Sequence, residues 1–309
     1  MNLLPRRVEI TTIGRMDPAL APLTVGRRKF FRQVVAAGGA LAAVGVSPRI
    51  LAQSEFLTSV MLGDFELYYE VHGEGPPVVF AHGAGGTHFS WWQQIPAMVA
   101  HFQCVTFDHR GFGYSRDVGN RPGRAAFVDD LHGLLDHLDI DRVALVGQSM
   151  GGWTTLGFAS AYPERVAALV LCDTPGGYTD PDVERLMADR PSQRGAFAPT
   201  FGEHEPELAF LYREIQRSTL DRTPGGGPVA SAGLLSAPTD IVPVVDHEIP
   251  TLFVVGEDDS IFPAAALEAM HQKMPSSEFA LVPGAGHSVY YEKPKVFNRL
   301  VVEFLKRHT

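Results

Sequence analysis

The feature that most constrains this chain is Val143-Ala-Leu-Val-Gly-Gln-Ser-Met-Gly-Gly152. A short apolar run, consistent with a buried strand, breaks at Gly147-Gln148-Ser149-Met150-Gly151 and passes into a helix-like segment. A serine between two glycines at a strand-to-helix turn is the pattern of a nucleophile elbow, whose strained backbone pushes the hydroxyl out at the top of a sheet. Gly147 and Gly151 are small because strand and helix pass close to each other around the turn. The helix start behind Ser149 offers free N–H groups to developing negative charge. Five residues alone also arise by chance, so the neighbours decide what the pattern means.

The chain has 309 residues, enough for one large α/β domain with an insertion or for two small domains. Its 45% apolar and 20% charged residues are ordinary for a globular enzyme with a sizeable core. A formal net charge of −9 argues against a nucleic-acid partner, which calls for basic stripes.

The first fifty residues differ from the rest. Arg27-Arg28-Lys29-Phe30-Phe31-Arg32 precedes thirteen small or apolar residues, Val34 to Val46, and then Pro48 and Ala52. A basic region, a short apolar region and a small residue make a secretory signal. The Arg-Arg-x-Phe-Phe core with its Gly/Ala-rich stretch resembles the bacterial twin-arginine export signal. Thirteen apolar residues are too few for a stable membrane span. The expectation is a signal over residues 1–52 cut after Ala52, the export machinery as a partner, and a periplasmic or secreted mature protein. Met16 is an alternative start. Eight of the 26 basic and two of the 35 acidic residues lie in this segment, which leaves 18 against 33, a net −15. Only Cys104 and Cys172 are present, both in apolar strand-like runs, as expected of buried free thiols.

Residues Leu57 to Val71 read as two antiparallel strands turning at Gly63-Asp64. Val78-Val-Phe-Ala81 reads as a buried strand ending in His82-Gly83-Ala84-Gly85-Gly86, a turn whose backbone N–H groups can approach a substrate closely. Phe89, Trp91 and Trp92 follow on a short helix and read as core, with one at most lining a pocket. Cys104-Val-Thr-Phe-Asp108 is a further strand. Asp108 and Arg110, in the turn after it, read as stabilising that turn through side-chain hydrogen bonds. Arg124 to Leu138 carries apolar residues at helical spacing. Val166-Ala-Ala-Leu-Val-Leu-Cys172 is the strand after the elbow helix. Alternation of strands and helices indicates an α/β fold, a mostly parallel sheet with helices on both faces.

From about Pro175 to Thr239 that alternation stops. Helical fragments around Val183–Ala188 and Glu207–Arg217, with a break at Gly225-Gly-Gly-Pro228, read as an inserted helical cap. Tyr178, Phe197, Phe201, Phe210 and Tyr212 pack its own core or roof a pocket. The organisation is therefore a core of residues 53–174 and 240–309 with a cap over 175–239. Pro250-Thr-Leu-Phe-Val-Val-Gly256 resumes the sheet and runs into Glu257-Asp258-Asp259. A helix over 264–273, a last strand ending in Pro283-Gly-Ala-Gly-His287, and an amphipathic helix from Pro294 to Arg307 complete the chain.

The order serine, acid, histidine along the chain, each after a strand, is that of the α/β-hydrolases. The chain resembles that family in five blocks: His82-Gly-Ala-Gly-Gly, Asp108-His-Arg-Gly-Phe-Gly-Tyr-Ser, Gly147-Gln-Ser-Met-Gly-Gly, Gly256-Glu-Asp-Asp-x-x-x-Pro263 and Gly286-His287. The resemblance spans about residue 57 to the end. It implies an eight-stranded, mostly parallel sheet with a helical cap, Ser149 as nucleophile, His287 as base, and the N–H groups of Ala84 and Met150 as oxyanion hole. The family spacing selects Asp259 over Asp258 as the acid, while Asp173 is where some relatives place it. In the implied strand order two strands separate Cys104 from Cys172, roughly 14 Å, too far for a disulfide.

The activity implied is hydrolysis of a small-molecule carboxylic ester or lactone through an acyl-enzyme, with no cofactor and no metal. One alternative is a hydrolase of carbon–carbon bonds in ring-cleavage products. Those enzymes usually carry a tryptophan shortly after the histidine, where this chain has Ser-Val-Tyr-Tyr-Glu292. Proline iminopeptidase-like and cofactor-free haloperoxidase-like activities are further relatives on the same fold. A non-enzymatic ligand receptor on this fold is the alternative from a different class. A serine nucleophile excludes the relatives that use aspartate.

Overall fold

The structure, a computed structural model, describes residues 58–115, 123–220 and 238–309. The export signal expected over residues 1–52 and the Gly225–Pro228 break lie outside the described residues.

Ser59–Leu62 (β1) and Phe65–His72 (β2) form the expected hairpin. It turns at Gly63, whose φ of 66° is a conformation that glycine adopts without steric cost. Pro77–Ala81 (β3), the short helix Ile95–Met98 (α1) and Gln103–Phe107 (β4) follow. Phe127–His137 (α2), Val143–Gln148 (β5), Met150–Ala161 (α3) and Val166–Cys172 (β6) continue the alternation. Between β6 and β7 lie Pro181–Ala188 (α4), Phe201–His204 (α5) and Pro206–Leu220 (α6). Val242–Asp246 (α7), Thr251–Gly256 (β7), Ala264–His271 (α8), Ser277–Val282 (β8), Val289–Glu292 (α9) and Pro294–His308 (α10) complete the described chain.

The eight strands make one sheet in the order β1-β2-β4-β3-β5-β6-β7-β8. β2 runs antiparallel to both of its neighbours, and the strands from β4 to β8 are mutually parallel. Buried strands of this kind read as continuous apolar runs because both faces are covered. Their side chains nonetheless sort by parity. Val79, Ala81, Leu145, Leu169 and Val255 join α2, α3 and α8 in one core layer. Val78, Phe80, Val146, Val170 and Val254 join α1 and α10 in the other. Each fully buried Val, Leu or Phe contributes about 1.5–3 kcal/mol, which explains why polar residues gather at strand ends.

Two expectations need correction. Of the aromatic trio read as core, only Trp91 is buried; Phe89 and Trp92 are 53% and 41% exposed. The three sit on and just after a 3-10 turn, His88–Trp91, where positions i and i+3 eclipse, so Phe89 and Trp92 face one way and Trp91 another. Phe89 and Trp92 instead line an open cleft of about 400 Å³ with Tyr114 and Leu211. The aromatics of the inserted segment also divide. Phe197, Phe201 and Tyr212 pack on one another and on Tyr291 of α9, with centroid separations from 4.5 to 6.4 Å, whereas Phe210 is exposed.

Cys104 lies on β4 and Cys172 on β6, with β3 and β5 between them, and both are free and buried.

Candidate active site

Ser149 sits between β5 and α3 with φ 49° and ψ −118°, a strained conformation for a residue with a Cβ. Such a residue costs on the order of 1–3 kcal/mol and persists only where its surroundings over-determine it. They do so here. Its N–H donates to the Cys172 carbonyl at 3.0 Å, and its own carbonyl accepts from the Thr174 hydroxyl at 2.7 Å. A side chain at Gly147 would run into Thr155 and the Gly151 backbone, and one at Gly151 into the Ala81 carbonyl. Strand, helix and the neighbouring β3 are therefore packed too closely for anything but glycine at positions 147 and 151.

His287, in the loop after β8, is buried, and its Nε2 lies 2.8 Å from the Ser149 hydroxyl. On the other edge of the ring Nδ1 lies 2.9 Å from Asp259 Oδ2. The second oxygen of Asp259 accepts the N–H groups of Ile261 at 2.7 Å and Phe262 at 3.0 Å, which fixes the carboxylate plane. Three residues from three loops, all at the carboxyl ends of parallel strands, thus form one hydrogen-bonded row. Asp258, the rival acid, is exposed, and it is Asp259 that bonds the histidine.

Burial disfavours charge on His287. The Asp259 carboxylate, with Asp173 and Glu292 further off, outweighs it and raises the imidazole pKa above its ordinary 6.5. Asp173 has no exposure and a φ of 51°. Its oxygens accept the N–H groups of Gly256 at 2.9 Å and Val289 at 3.0 Å, so it ties β7 to the helix after the histidine loop rather than meeting the ring. Burial, followed by the nearby charge of Asp259, pushes its pKa up to about 7.

The turn His82–Gly86 lies against the elbow, since a Cβ at Gly83 would stand 3.2 Å from Ser149 Cβ. The Gly86 N–H donates to Gly83 O at 3.0 Å, and Gly85 at φ 79° completes the turn. Met150 opens α3, where first-turn N–H groups lack intrahelical partners. Among the described residues neither the Ala84 nor the Met150 N–H donates to protein.

Asp108 and Arg110 are turn residues, as read from the sequence. Asp108 accepts His88 N–H and Nδ1 at 2.7 and 2.8 Å and Tyr114 N–H at 2.8 Å, while Arg110 makes a two-point pair with Asp130 at 3.0 and 2.6 Å. Sequence reasoning missed Gln148, whose Nε2 donates to the His287 carbonyl at 2.9 Å. Its only trace in the sequence is an amide in the variable position before the serine.

Among the described residues no group of three or more His, Cys, Asp or Glu is arranged to hold a metal ion, and no helix is long and apolar enough to cross a membrane.

The chain belongs to the alpha/beta hydrolase fold family, whose profile matches residues 76–205 and 232–294. It is 31% identical over 275 residues to a 2-hydroxy-6-oxo-2,4-heptadienoate hydrolase of Pseudomonas putida, covering 80% of this chain and 95% of that protein. A thermophilic esterase from Thermogutta terrifontis superposes with a TM-score of 0.68 at 30% identity, covering 82% of this chain and 98% of the esterase. A meta-cleavage product hydrolase from Pseudomonas fluorescens superposes with a TM-score of 0.65 at 25% identity, over 82% of this chain and 98% of that one.

Proposed function

We propose that this protein is a serine hydrolase that cleaves a small-molecule carboxylic ester or lactone through an acyl-enzyme on Ser149. The observation that carries the reading is the row Ser149 Oγ, His287 and Asp259, at 2.8 and 2.9 Å, starting from a serine at positive φ. His287 Nε2 takes the hydroxyl proton as Oγ attacks the carbonyl carbon. The tetrahedral oxyanion is met by the N–H groups of Ala84 and Met150, which need no reorganisation during the step. The imidazolium, held by Asp259, gives its proton to the departing alkoxide. A water then loses a proton to His287 and attacks the acyl carbon; as the bond to Ser149 Oγ breaks, the imidazolium returns that proton to Oγ and the acid is released. Similarity to an esterase at 30% identity supports this choice of substrate class.

Labelling of purified protein with a fluorophosphonate, beside Ser149→Ala, with nitrophenyl esters and lactones as substrates, tests it. Labelling that the substitution abolishes, together with ester or lactone turnover, is expected. A folded protein that neither labels nor turns over would overturn the reading and favour a ligand receptor on this fold.

The second reading, hydrolysis of carbon–carbon bonds in ring-cleavage products, is supported by the 31% identity to the heptadienoate hydrolase. Decay of a 2-hydroxy-6-oxodienoate chromophore faster than any ester would select it.

We also propose export in folded form through the twin-arginine route to the periplasm or beyond, on the strength of Arg27-Arg28-Lys29-Phe30-Phe31. Fractionation of cells expressing the chain and its R27K/R28K variant checks this. Equal export of both would refute it.

A further inference from the structure

Glu292, the last residue of α9, is buried five positions after the histidine. Its carboxylate accepts three backbone N–H groups. Oε1 takes those of Gly286 at 2.9 Å and Ser288 at 3.4 Å; Oε2 takes that of Ala198 at 2.8 Å. Gly286 and Ser288 flank His287, whereas Ala198 belongs to the inserted segment 94 positions earlier. The two stretches are in direct contact, because a Cβ at Gly286 would collide with Ala198 N and the Phe197 carbonyl carbon. Phe197 in turn packs on Tyr212 at 4.6 Å, and Tyr212 reaches Ser288 Oγ at 3.4 Å. A carboxylate taken out of water needs strong donors, and backbone N–H groups cannot turn away from it as side chains can.

We propose that Glu292 is a positioning residue that couples the inserted segment to His287: one oxygen sets the register of the histidine loop, the other anchors Phe197–Ala198 against it. The inference rests on the reading of His287 as the base. Its functional consequence is that a substrate contact shifting Phe197–Ala198 is transmitted to the imidazole through one rigid carboxylate. Placement of a reacting group to within about 1 Å is worth on the order of 100-fold in rate, so the coupling is large enough to matter.

Glu292→Gln and Glu292→Ala in the full chain separate the two oxygens. Glutamine keeps the size but offers one acceptor, and its amide faces an N–H with another N–H. We expect its oxygen to serve Gly286 and Ser288, leaving kcat within about threefold and raising KM on the order of 10-fold as Ala198 is released. Alanine frees both sides, and kcat itself falls on the order of 30-fold or more. Residue-resolved amide exchange reads the same coupling without activity. E292Q is expected to speed exchange at Ala198 while Gly286 and Ser288 stay protected, and E292A to speed all three. Unchanged exchange at these amides would overturn the proposal. So would a kcat loss in E292A that merely tracks the unfolded fraction seen by melting. Should the wild type turn over no ester or lactone while the exchange pattern holds, the failure falls on the hydrolase reading and the coupling stands.

Discussion

Gln148 donates from its side-chain amide to the main-chain carbonyl of His287 at 2.9 Å, so the residue before the candidate nucleophile holds the loop that carries the candidate base. With Glu292 gripping the N–H groups on either side of the histidine, the peptide groups of that loop are fixed by two side chains from different elements. Replacement Gln148→Ala is expected to lower kcat on the order of 10-fold through imidazole misplacement. The lost hydrogen bond should cost about 1 kcal/mol of stability. Gln148→Glu should be worse than alanine, because a carboxylate would face a carbonyl with no proton to donate. Steady-state kinetics and urea unfolding of both variants check this; a Q148E enzyme as fast as wild type would contradict it.

The acid limb of the pH–rate profile should report His287. To accept the serine proton the imidazole must be neutral, so activity is lost as pH falls through its pKa, which lies above the ordinary 6.5. Asp259→Asn removes the largest opposing influence to burial. The limb should then move to lower pH while kcat drops on the order of 10³–10⁴-fold, because the imidazole loses the group that orients and charges it. Measuring kcat/KM between about pH 5 and 9 for both proteins decides the matter. A limb that does not move in D259N would reassign the acid, with Asp173 the next carboxyl in reach.

The two cysteines offer a check on the sheet order. Burial pushes the Cys104 thiol up to about 12 and raises that of Cys172 as well. Thiolate is the reactive form, so neither should react with a disulfide reagent in native protein near pH 8. Both should react once the chain is denatured without reductant. Finding fewer than two thiols then would mean a bridge, which strands separated by two others cannot form without rebuilding the sheet.

Much of this was legible because both period and order survive in one dimension. Val78-Val-Phe-Ala81 and Val143-Ala-Leu-Val146 are apolar without interruption since both faces of those strands are covered. Ser149 and His287 stand at strand ends in the family order, and Asp259 was separable from Asp258 by its distance from Pro263. What could not be read is what the backbone receives. Gln148 and His287 are 139 positions apart and meet through a carbonyl, which every residue possesses. Glu292 likewise meets three N–H groups that carry no side-chain identity. Helix α7 was hidden because its sequence, Val-Pro-Val-Val-Asp, is mostly β-branched and looks more like strand or loop. Phe89 and Trp92 misled because hydrophobicity says nothing about direction around a single turn of 3-10 helix.

His82 opens the proposed oxyanion turn, yet its ring faces inward and makes that turn sensitive to acid. Nε2 accepts the His109 N–H at 3.0 Å, which leaves the proton on Nδ1, 2.8 Å from the Gly83 carbonyl. A second proton would set donor against donor in a site without solvent. Burial accordingly pushes its pKa down to about 4 from 6.5. The folded state thus prefers the neutral ring, while the unfolded chain takes up a proton below about pH 6.5. The stabilisation is fully present above that pH and is lost as pH falls toward 4. At 1.36 kcal/mol per pKa unit the loss is about 3 kcal/mol. His109, also held neutral by burial, adds to the slope in the same direction. His82→Gln should be less stable at pH 7, since one amide replaces two ring contacts, but should lose markedly less stability between pH 7 and 4.5. Urea titrations of both proteins at the two pH values measure this. If the substitution leaves the acid slope unchanged, the turn that carries Ala84 does not depend on a neutral His82.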